Sequence, residues 1–190
     1  MDPNIYIRIY GDHDISGALF TMAENEDELG SVLRIHLLSE RMLEAWIAAR
    51  IEVEDLFTSI SSEKLNFKIN YVNKLALAKK LGFNTAACTM LAKINSLRNK
   101  FAHSHDCAPI DDSVIATMKQ ALDSIPKHEK IFEIEDQKFT FKPQDSNPII
   151  YEFNSKQTSN RVKLIMLYFS LFTCITIDVI QLSDEYKKLI

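Results

Sequence analysis

The chain has 190 residues, 46% of them hydrophobic and 25% charged, with a formal net charge of −4. This composition suits one folded domain with a proper core, and it excludes a disordered chain and a broadly basic nucleic-acid coat protein. Glycine and proline are scarce, at 4 and 5 residues, as expected where long helices dominate.

The first residues, Met1-Asp2-Pro3-Asn4, lack the basic and apolar regions of a secretory signal. Cys88, Cys107 and Cys174 form no paired motif and no zinc spacing. Both observations fit a reducing, cytoplasmic setting. Ile5 to Tyr10 is rich in β-branched and aromatic residues and ends at Gly11, so it reads as a short strand or an extended arm. Residues 12–24 suit more than one structure. From about Glu26 to Ile51 the pattern is helical. A loop is expected over 52–66, a second helix over Phe67–Leu81 stopped by Gly82, and a third from Asn84 to about Ala102. Asp111-Asp112-Ser113 opens a fourth helix, closed by Pro126.

Residues 127–156 change character. Lys130–Ile134 and Lys138–Lys142 alternate about a short polar stretch, which predicts a hairpin between these two segments. Pro143 and Pro148 interrupt the chain before a last helix over about Gln157–Lys188. Its apolar run, Leu164–Ile177, falls short of the roughly 20 residues a membrane span needs. A buried helix, with no membrane partner, is therefore expected. The sum is an all-α bundle of one domain over 1–190. Its helical core lies at about 26–125 and 157–188, with an N-terminal arm at 1–24 and a small β-hairpin or extended insertion at 127–156.

The third helix carries the most informative stretch. At about 100° per residue, Ala87, Met90, Leu91, Ile94, Leu97 and Phe101 share one apolar sector, and Arg98 falls inside it. An arginine on such a face needs a partner: a carboxylate, a neighbouring subunit or a bound phosphate. The first long helix offers His36, Glu40 and Glu44 at i, i+4 and i+8, beside two apolar faces that mark it as central. Glu40 and Glu44 suit an ion pair with Arg98 or another cation, and His36 suits a hydrogen-bonded core position. His103 falls on the side opposite the apolar sector. It points outward, or the helix ends just before it. Arginine binds phosphate with a permanently charged fork, and histidine exchanges a proton near neutral pH. Lys93 and Lys100 add local positive charge. There is no Gly-rich phosphate loop and no ligand-spaced His or Asp cluster, so neither a metal nor a cofactor is expected. No helix combines a basic face with recognition-type residues, which argues against direct DNA-binding repression.

The segment Asn95-Ser96-Leu97-Arg98-Asn99-Lys100-Phe101-Ala102-His103-Ser104 resembles the R-x4-6-H motif of the HEPN superfamily, most closely the branch near the mannitol-repressor-like and DUF4145-type proteins. Phe67–Phe83 resembles the helix that precedes the motif helix there. The resemblance covers about 26–125 and 157–188. It implies a HEPN-like bundle of four to five helices that forms a homodimer, with an antitoxin or regulatory protein as a further partner. It also implies metal-independent cleavage of an RNA substrate through its own 2′-hydroxyl, in a toxin or phage-defence effector. His103 would act as general acid or base, Arg98 would stabilise charge on the phosphate, and Asn99 would orient one of them or contact the phosphate. Glu40, Glu44, His36 and Lys100 would support the site. His105 stands where one toxin pattern has a tyrosine, and it could share the role of His103. The alternative the resemblance leaves open is a non-catalytic regulator or protein-interaction module.

Overall fold

Asp2 and Pro3 start a helix, not a strand. The computed structural model describes residues 1–11, 15–24, 27–57, 69–103, 109–126, 133–135, 137–141 and 148–183. Helix α1 spans Pro3–Gly11. The Asp2 carboxylate accepts the Asn4 N–H at 2.8 Å, and proline takes the first helical position, where its missing N–H costs nothing. Ile5, Tyr6, Ile9 and Tyr10 then fall on one helical face, with Ile5, Tyr6 and Tyr10 buried. The expectation of a strand or arm over 5–10 is thus corrected. The five β-branched and aromatic residues of this segment satisfy either period, and burial against a neighbouring helix decides between them.

Helix α2 spans Ile15–Glu24 and α3 spans Glu28–Ile51. Helix α3 is central and packs against α1, α2 and three later helices, α4 (Tyr71–Lys80), α5 (Thr85–His103) and α7 (Asn160–Gln181). Ile35, Met42, Leu43 and Ile47 on it are fully buried. The caps lie where polar residues precede apolar periodicity. Asn70 accepts the Asn73 N–H, Asn84 accepts those of Ala86 and Ala87, and Ser159 accepts that of Val162. Gly82 follows α4 at φ +99°, a conformation that excludes most other residues. Helix α6 spans Asp112–Asp123 and ends before Pro126.

Helix α7 is long and apolar enough, by length and composition, to cross a membrane. Here Leu164–Tyr168, Leu171, Ile175 and Val179 are buried inside the bundle. Two of its buried side chains, Tyr168 and Arg161, find polar partners there. The Tyr168 and Tyr10 hydroxyls bond at 2.5 Å, and the Arg161 guanidinium donates to the carbonyls of Met22 and Ala23 at the end of α2.

The small sheet differs from expectation in its pairing. Strand β1, Lys138–Phe141, lies where alternation placed it, but it pairs antiparallel with β2, Ile149–Glu152. The expected partner falls partly on residues 130–132, outside the described residues. Residues 134 and 135 form a turn. Ile134 is 1% exposed, and Glu135 pairs with Lys119 of α6 at 2.9 Å, so this stretch is committed to the bundle. Phe139 packs edge-on against Phe169 of α7 at 5.5 Å. The described residues thus form seven helices and one two-stranded sheet. The helices beyond the expected four to five are α1 and α2.

The buried tyrosine pair gives a direct test. Tyr168→Phe leaves the Tyr10 hydroxyl without its partner, and a urea titration should show a loss of about 1–3 kcal/mol.

Candidate functional site

Helices α3 and α5 run antiparallel, with His36 opposite Asn95. Helix α4 lies along both. Its Tyr71 hydroxyl meets Ser39 of α3 at 3.0 Å and donates to the Leu91 carbonyl of α5 at 3.2 Å. Further along, Lys74 meets Glu40 and Glu44, and Arg50 donates to the Leu81 carbonyl, so α4 follows the direction of α3. Beyond the first residue of α4, towards the N-terminus of α3 and the C-terminus of α5, lie His36, Asn95, Arg98 and Asn99. Arg98 is half-buried there and Asn99 is exposed.

His36 is 8% exposed and stacks on Tyr71, with ring centroids 4.5 Å apart. Its Nε2 lies 3.1 Å from Asn95 Oδ1. Ser39 donates to the His36 carbonyl at 2.7 Å, which completes a buried polar network across three helices. Burial lowers the His36 pKa from its ordinary value. The Asn95 bond and Glu40 oppose that shift, while Arg98 and Lys74 reinforce it.

Lys74 is the cation that Glu40 and Glu44 hold. Its side chain is 8% exposed, and Nζ lies 2.7 Å from Glu40 Oε1 while also donating to Glu44. It also sits 5.5 Å from the centroid of the Phe57 ring. Burial disfavours its charge, but the two carboxylates outweigh burial and raise its pKa. Lys74 was legible by the reasoning that singles out Arg98. It lies at i+3 from Tyr71 and four residues before Ala78, on the buried face of its helix.

With both α3 carboxylates committed to Lys74, Arg98 pairs with no carboxylate among the described residues. Its Nη1 donates to Asn99 Oδ1 at 3.0 Å. Lys100 is engaged by Asp111 at 2.9 Å. His103 is exposed and is the last residue of α5. His105 lies outside the described residues. A separation of five residues turns a helix by about 140° and advances about 7.5 Å. Arg98 and His103 of one chain therefore leave α5 in directions about 140° apart. Among the described residues, no group of three or more His, Cys, Asp or Glu side chains is placed to hold a metal ion. A scan against protein-family models found no match to this chain, and searches of curated proteins and of solved structures found none either.

Two stability measurements probe this cluster. Lys74→Met leaves Glu40 and Glu44 facing each other without a cation and should cost about 3 kcal/mol, with partial recovery when Glu40→Gln and Glu44→Gln are added. Because the His36 pKa is lower in the folded chain, the unfolded chain binds its proton first as pH falls below the ordinary histidine value of 6.5. The melting temperature should therefore fall with acidification across that window, and fall less steeply in His36→Gln.

Proposed function

We propose that the chain is a metal-independent endoribonuclease of the HEPN type, acting as a homodimer in a toxin or phage-defence role. The observation that carries this reading is the state of Arg98. It is a half-buried, permanently charged fork whose only described side-chain partner is the neutral Asn99 amide, because Lys74 holds Glu40 and Glu44. Such a fork suits a phosphate. His103 stands exposed at the negative end of the same helix, where a proton carrier can reach a substrate. The different directions of Arg98 and His103 on α5 make a second copy part of the proposal, since its motif can supply a group that one copy aims elsewhere.

In this reading the 2′-hydroxyl loses its proton to a His103 imidazole as its oxygen attacks phosphorus. Arg98 stabilises the charge that develops on the phosphoryl oxygens. The bond from phosphorus to the 5′-oxygen breaks, the leaving oxygen takes a proton from a protonated His103 imidazole, and a cyclic phosphate and a 5′-hydroxyl result. An antitoxin or other regulatory protein belongs to this proposal as a partner that restrains the activity.

The same divergence and the net charge of −4 favour a second reading, a non-catalytic protein-interaction module. One assay separates them. Purified protein incubated with transfer and messenger RNA in EDTA should produce cyclic-phosphate ends. His103→Ala should lower that rate by about 10²–10⁴-fold and Arg98→Ala by about 10²–10³-fold. His103→Ala should change stability by no more than about 0.5 kcal/mol, as expected of an exposed position. Absence of cleavage by the wild type, or equal cleavage by His103→Ala, leaves the interaction module as the better account.

A further inference from the structure

The buried histidine beside the arginine has no part in the cleavage chemistry just described. His36 is locked on three sides. Tyr71 stacks on its ring, Asn95 bonds its Nε2, and its own carbonyl accepts from Ser39. Asn95 lies one helical turn before Arg98 and Asn99, so the His36–Asn95 bond ties α3 to the turn of α5 that carries the arginine. The charged groups facing His36 are Glu40 on its own helix, Lys74 on α4 and Arg98 on α5, with the neutral Tyr71 hydroxyl nearby. Lys74 is already balanced by Glu40 and Glu44, whereas Arg98 has no anion among the described residues. The charge on Arg98 therefore opposes a second positive charge at His36. An anion seated on Arg98 would cancel that opposition.

We propose that His36 is a proton-linked positioning residue for a phosphate site at Arg98. Through Asn95 it holds the turn bearing Arg98 and Asn99, and it takes up a proton when a phosphodiester occupies the arginine. With the Asn95 carbonyl oxygen as acceptor, Nε2 already carries a hydrogen, so the incoming proton comes from solvent to Nδ1. The inference rests on the RNA-binding reading above and deepens it. It makes binding at this site stronger in mildly acidic than in alkaline solution, and by linkage the proton and the phosphate help each other equally.

The test is a pH titration of the His36 ring proton by NMR, with and without a saturating 2′-O-methyl oligoribonucleotide. This probe cannot be cleaved, and its phosphodiesters keep a constant charge over the range. The His36 midpoint should move up on binding, by no more than about one pH unit, as expected when an opposing charge is neutralised. It should not move in Arg98→Gln. Oligonucleotide affinity should correspondingly be several-fold higher at pH 5.5 than at pH 8, with about tenfold as the limit, and nearly flat with pH in His36→Gln. A His36 midpoint that stays put in the bound wild type overturns the inference, as does an oligonucleotide that fails to bind. The wild-type titration needs no variant to fold. RNA cleavage without movement of the His36 midpoint sinks this inference alone. Movement without cleavage upholds it and sinks the enzymatic reading.

Discussion

The ion triad of Lys74 with Glu40 and Glu44 sets the arrangement of the α3–α4–α5 face. An ammonium only 8% exposed must be paired, and two carboxylates one turn apart on α3 surround it. The pairing fixes α4 along α3 in the same direction, brings Tyr71 over the seam with α5, and commits both carboxylates. Arg98 shares the partly buried face but has only an amide for a described side-chain partner. Had the glutamates reached across to α5, the arginine would have had a carboxylate partner.

Around the triad the bundle joins its helices with buried polar contacts as well as apolar packing. Ser39, Tyr71 and His36 link α3, α4 and α5, while the tyrosine pair joins α1 to α7. A hydroxyl or imidazole in the core costs stability when its partner is lost, so each such contact disfavours a shifted register of one helix on the next. For α7 this matters most. By length and composition it suits a membrane as well as a protein core, and Tyr168, Arg161 and Asn160 are among the residues whose partners tie it into this fold.

Much of the helical framework was legible because local signals agree with one another. Asn84 caps the helix it precedes, Gly82 takes the positive φ that stops α4, and Pro126 closes the stretch after α6, whereas Asn70 and Ser159 cap helices that the sequence pattern starts a few residues too early. The segment Ile5–Tyr10 was misread because its residue types favour a strand, although Asp2 and Pro3 carry a helix-start signal just before it. Strand β1 was legible from alternation, but its partner was not. Alternation identifies a strand without saying which of two nearby segments will pair with it, and burial of Ile134 removed one of them.

For the candidate site, the sequence by itself determined which side chains belong to the inner faces of their helices. His36, Glu40 and Glu44 on α3 and Arg98 on α5 all follow from a period of 3.6 residues, as does the outward direction of His103. Only the tertiary structure decided which of them meet. Periodicity assigns a residue to a face of its own helix, but the partner across the interface depends on how far one helix slides along another and in which direction it runs. That offset gave the two glutamates to Lys74 and His36 to Asn95, and left Arg98 as the charge without a carboxylate among the described residues.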